Sequence, residues 1–119
     1  MLISNLSDHP IFVAGDGTHL REILHPDHLD VDIPYSIAHA SVKAGEESQP
    51  HTLKGSEVYY ILSGVGIMYV DGEQAEVSAN ATIYVPPGAT QHIRNIGDGE
   101  LVFLCIVQPA WRAEDEDIL

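Results

Sequence analysis

The sequence predicts an all-β domain in which short antiparallel strands close into a barrel or sandwich. Three observations carry that expectation. Runs rich in Val, Ile and Tyr recur at short, even intervals. Turn-forming residues separate nearly all of them. No segment keeps apolar residues at helical spacing for three turns, so at most one short helix is expected. A chain of 119 residues suits one domain with one core.

In chain order, residues 1–34 read as an N-terminal arm and edge strands packed on the barrel, with Ile11-Phe12-Val13 and Leu20 to Leu24 as its apolar pieces. Pro26 to Asp32 reads as a polar loop. Residues 35–108 carry the barrel itself, in strand runs at Tyr35 to Val42, Val58 to Leu62, Val65 to Val70, Ala81 to Val85, Gln91 to Asn95 and Leu101 to Val107. Between them stand Ala44-Gly45, Ser63-Gly64, Asp71-Gly72, Pro86-Pro87-Gly88 and Gly97-Asp98-Gly99. Asp71-Gly72 is the strongest hairpin signal, because the favoured two-residue turn needs positive φ at both positions. Residues 109–119 read as a C-terminal acidic tail, with Glu114-Asp115-Glu116-Asp117 a solvated end.

Charge narrows the partners. Eighteen acidic residues against five basic ones give a net charge of −13, which argues against nucleic acid and against an anionic membrane surface. The apolar runs are far shorter than the roughly 20 residues that cross a bilayer, and a cytoplasmic location is expected. The single cysteine, Cys105, lies inside an apolar run and reads as a small core residue, since such surroundings raise a thiol pKa.

Two motifs name a family. Gly45, five residues, His51, Thr52, Leu53, three residues, Glu57, six residues and Gly64 resemble the first cupin motif, with leucine where a second histidine is usual. Asn80, five residues, Pro86, Pro87, Gly88, two residues, Gln91, three residues and Asn95 resemble the second, with asparagine for glycine and glutamine for histidine. Asn is the next-best residue for a left-handed turn, so Asn80 suits the fold, while Gln91 touches the chemistry. Pro50 to Leu62 and Phe103 to Glu116 are similar to segments of a set of small single-domain cupins. The resemblance implies a double-stranded β-helix, the jelly-roll barrel, and a homodimer, for which Ile11-Phe12-Val13 is the candidate arm.

Strand parity then proposes a site. His51 and Leu53 share a face, as do Glu57 and Tyr59, and as do Gln91, Ile93 and Asn95. If those faces point inward, as the resemblance implies, His51, Glu57 and Gln91 converge on one divalent metal ion, Zn, Mn, Fe, Ni or Cu. His39 is an additional candidate ligand. So is His92, provided a bulge after Gly88 shifts the register by one. Tyr59 and His39 are the candidates for moving a proton.

The plainer alternative is a buried His51–Glu57 pair with Gln91 satisfying leftover donors and no metal present. Two functions follow. One is a small-molecule enzyme with a divalent metal, either non-redox chemistry of the isomerase or lyase kind or a dioxygenase. Loss of two histidines favours the non-redox form, because redox iron wants two histidines and one carboxylate. The other is a metal-free cupin that binds or senses a small molecule without turnover, as Leu53 makes the wall drier.

Overall fold

A computed structural model describes residues 1–119. The fold is two antiparallel sheets facing one another. Eleven strands run β1 (Phe12–Val13), β2 (His19–Leu24), β3 (Ser36–Val42), β4 (His51–Leu53), β5 (Ser56–Ser63), β6 (Val65–Val70), β7 (Glu73–Ser78), β8 (Thr82–Val85), β9 (Gln91–Asn95), β10 (Leu101–Gln108) and β11 (Glu116–Ile118). Their order is β1-β2-β3-β10-β5-β8 in one sheet and β11-β4-β9-β6-β7 in the other. This is the jelly-roll barrel the sequence predicts. The only helical pieces are 3-10 turns at Leu6–Asp8 and Ala113–Asp115. No helix is long and apolar enough to cross a membrane.

Alternation of side chains builds the core. Along β10, Leu101, Phe103, Cys105 and Val107 are buried while the residues between them are half-buried, as one face turned inward requires. Ala40, Ile61 and Val85 join them from the same sheet, with Ile93, Met68 and Val77 from the second sheet. Each large aliphatic or aromatic side chain so buried contributes about 1.5–3 kcal/mol.

The turns behave as their residues dictate. Asp71 and Gly72 both take positive φ, at 48° and 82°, and join β6 to β7 in register from Val65↔Ser78 to Val70↔Glu73. Asn80, standing where the motif has glycine, sits at φ 75°. Gly64 at φ 91° has a second constraint, since a Cβ there would lie 2.7 Å from the Glu100 carbonyl oxygen.

At both termini the chain joins the barrel through the backbone. β2 pairs with β3, extending the larger sheet, and β1 pairs with β2 through Phe12↔Leu20 and Val13↔His19. Expected as a solvated end, the acidic run Glu114 to Asp117 instead enters β11, which pairs with β4 through Glu116↔Leu53, Asp117↔Thr52 and Ile118↔His51. The physical reason is backbone satisfaction. β4 shares only the His51↔Gln91 pair with β9, and its outer edge leaves N–H and C=O groups that β11 completes.

Candidate functional site

A cavity of about 40 Å³ opens between the sheets. His51 reaches it from β4, Glu57 and Tyr59 from β5, and Phe103 and Cys105 from β10. Period-two alternation explains each placement, because the cavity-facing residues of one strand lie two apart. Leu53, on the His51 face of β4, is buried at 3% exposure and forms an apolar wall where the first motif usually has its second histidine.

Gln91 is buried at 1% exposure and its Oε1 accepts a hydrogen bond from the Tyr59 hydroxyl at 2.5 Å. Tyr59 in turn stacks on Phe103, with ring centroids 5.2 Å apart. Glu57 is enclosed among these groups. Burial is the main force raising its carboxyl from the ordinary 4.5 to about 8. The hydrogen-bonding neighbour Cys105 works against that rise, the charges of Asp16 and Glu116 add to it, and Gln91 opposes it. Glu57 is therefore a neutral proton donor at pH 7. Burial likewise pushes the Cys105 thiol well above its usual range, which fits a packing residue rather than a nucleophile.

The structure divides the remaining expected candidates. His39 pairs with Arg21 and Leu104 and lies on the opposite parity from Ala38, which lines the cavity, so it does not reach His51. Burial lowers its pKa. His92 points away as well. Its ring stacks on Tyr69 at 4.2 Å and 5°, and its Nε2 lies 3.9 Å from Glu47. The bulge that would flip it inward does not occur, as the β6–β9 register runs unbroken from Gly66↔Asn95 to Val70↔Gln91.

Apart from Glu57, sequence reasoning missed the acidic cavity residues, among them two that approach His51. Asp16 sits in the turn between β1 and β2, its Oδ1 accepting hydrogen bonds from the Thr18 backbone N–H at 3.1 Å and the Thr18 hydroxyl at 2.6 Å. Its Oδ2 lies 3.7 Å from His51 Nδ1. Glu116 comes from β11, and its Oε2 accepts a hydrogen bond from the Trp111 indole at 3.1 Å. Burial is the main force raising its carboxyl pKa, helped by Asp16 and opposed first by His51. The Asp16-Gly17 pair advertises only a turn, and the acidic run advertises only solvent.

The expected ligand set of His51, Glu57 and Gln91 can now be weighed as chemistry. His51 and Glu57 share the cavity. Yet Gln91 spends its oxygen on Tyr59, and Glu57 is held neutral among hydrogen-bonding neighbours. Gln91 Oε1 thus already accepts one hydrogen bond, whereas His51 keeps a ring nitrogen with no partner.

Residues 38–107 match the family described as Cupin domain. The chain belongs to the cupin family. Among its relatives is an uncharacterized protein, MJ1618, of Methanocaldococcus jannaschii, 38% identical over 109 residues that cover 91% of this cupin and 86% of the relative. Among solved structures, Streptomyces Pac13, described as a nucleoside dehydratase, superposes with a TM-score of 0.80 at 24% identity, covering 100% of this chain and 91% of its own. A predicted oxalate decarboxylase of Thermotoga maritima gives 0.79 at 18% identity, covering 91% and 99%. At such identities both likenesses show the cupin fold.

Proposed function

We propose that the cavity binds a small, uncharged organic molecule and promotes a non-redox proton transfer on it, with Glu57 donating to the carbonyl oxygen while water takes the proton from the adjacent carbon. The observation that carries the reading is the shared cavity of His51 and Glu57, in which the Cys105–Glu57–Gln91–Tyr59 group is oriented from within and walled by Leu53 and Phe103. A protonated carboxyl at pH 7 is a proton donor of the right strength for addition, elimination or isomerisation beside a carbonyl. Ligand charge follows from the lining. Asp16, Glu22, Glu57 and Glu116 face the cavity and no Lys or Arg does, so a carboxylate or phosphate finds no counter-charge there. That two solved cupins of this shape are described as a dehydratase and a predicted decarboxylase supports non-redox chemistry.

The test is a panel of neutral hydroxy-carbonyl compounds incubated in D2O, followed by NMR. The expected result is solvent deuterium entering one compound, at a rate lost in Glu57→Gln while binding persists. Exchange that is equal in the two proteins sinks the reading. A second reading, binding without turnover, is favoured by Leu53, whose 3% exposure at a histidine position makes the wall dry. An organic molecule retained through native mass spectrometry, with no exchange on any compound, selects it. For the assembly we propose a homodimer joined through the arm, because Ile11 and Val13 stand 57% and 64% exposed beside Phe12.

A further inference from the structure

Two residues outside the matched family segment complete a ligand set with His51, which lies inside it. Asp16, His51 and Glu116 each offer one ligand atom, and those atoms lie within 4.8 Å of one another. Donor atoms about 2.0–2.2 Å from a single ion stand no more than about 4.4 Å apart, so the cluster is nearly closed.

Each of the three is anchored by one atom and free at the other. The Gln49 carbonyl accepts a hydrogen bond from His51 Nδ1 at 2.8 Å, which leaves the lone pair on Nε2. Thr18 engages Asp16 Oδ1 and leaves Oδ2, which lies 3.7 Å from His51 Nδ1 on the anchored side of the ring. Trp111 engages Glu116 Oε2 and leaves Oε1. Such outer hydrogen bonds are how proteins fix the tautomer and direction of metal ligands. The His51 and Asp16 side chains are only 5% and 10% exposed, and their unpartnered atoms keep a narrow opening to solvent.

A second cluster shows what is missing when this pattern fails. Glu22, His25 and His28 also bring ligand atoms within 4.8 Å of one another. His25, however, gives Nε2 to the Trp111 carbonyl at 2.7 Å and accepts the Asp27 N–H on Nδ1 at 3.0 Å, so neither nitrogen is free.

We propose that Asp16, His51 and Glu116 bind one divalent first-row ion, with two carboxylates from the ends of the chain taking the place of the histidines absent at Leu53 and Gln91. Two carboxylates match the charge of the ion. One imidazole nitrogen and two carboxylate oxygens accept Zn²⁺ or Mn²⁺.

The experiment uses the full chain without a histidine tag, stripped with a chelator and titrated calorimetrically with Zn²⁺ or Mn²⁺ in the absence of any organic compound. It therefore fails or succeeds independently of the proposed proton transfer. The expected result is about one ion per chain, with affinity lowered roughly tenfold or more in Glu116→Gln and Asp16→Asn and unchanged in Glu57→Gln. Pulsed EPR of bound Mn²⁺ is expected to show a single imidazole nitrogen. Should Asp16→Asn fail to fold, Glu116→Gln decides alone, because glutamine still accepts the Trp111 indole hydrogen bond. No uptake of either ion overturns the proposal, and so does a loss in Glu57→Gln as large as that in Glu116→Gln.

Discussion

The cavity has two carboxyl-bearing sides, and although burial raises the pKa of both Glu57 and Glu116, the two sides hold the same functional group by different means. Around Glu57 the barrel is closed, strand paired to strand, and burial is strong enough to keep the carboxyl protonated to about pH 8. Around Asp16 and Glu116 the chain supplies directed hydrogen bonds from Thr18 and Trp111, each engaging one oxygen and leaving the other. Enclosure by packing suits a carboxyl to the proposed role of acid, whereas a directed donor on one oxygen suits it to the proposed role of ligand.

The largest expected effect tests the packing on the Glu57 side. Phe103 is 1% exposed and stacks on Tyr59, so Phe103→Ala is expected to cost about 3–5 kcal/mol in urea unfolding. A loss below about 1 kcal/mol would mean that this wall is not what encloses Glu57.

Next comes pH. A carboxyl whose folded pKa lies near 8 and whose ordinary value is 4.5 binds its proton more tightly in the folded state. Its contribution is complete below about 4.5 and is lost as pH rises toward 8, a fall on the order of 5 kcal/mol. Glu57→Gln is expected to flatten that slope. Unfolding curves between those limits check it, and equal slopes in the two proteins would place the acid elsewhere.

Smaller again is Tyr59→Phe, which leaves the buried Gln91 oxygen without its donor. The expected cost is about 1–3 kcal/mol, together with faster loss of Glu57-dependent exchange than of ligand binding. Smallest is His92→Ala on the outer surface. Removal of its stack on Tyr69 is expected to change stability by less than about 1 kcal/mol and to leave ion uptake alone. A lost ion in that variant would redraw the site. The arm has its own measurement: light scattering is expected to give twice 13.0 kDa, and Val13→Asp to return the mass to that of one chain.

Local alternation made most of the barrel legible. β10 and β9 are buried at every second residue, and the parity that places Gln91 inward and His92 outward needs no knowledge of distant residues. Asn80 and Asp71-Gly72 announced their backbone conformations in the same way. What escaped notice lacks an apolar signature. β7, Glu73–Ser78, is exposed at all but one position and holds its place by pairing with β6, so its polar sequence reads as loop. Asp16 and Glu116 escaped for a different reason. Their roles arise from pairings with β3 and β4 across long stretches of chain, and no spacing within a motif records which residues the two ends bring to His51.

The pairing of β11 with β4 has a mechanical consequence. Leu119 N–H hydrogen-bonds to the Pro50 carbonyl one residue before His51, so load applied beyond Leu119 travels along three residues of strand to the Glu116 carboxylate. Anything fused there pulls on the strand that carries Glu116.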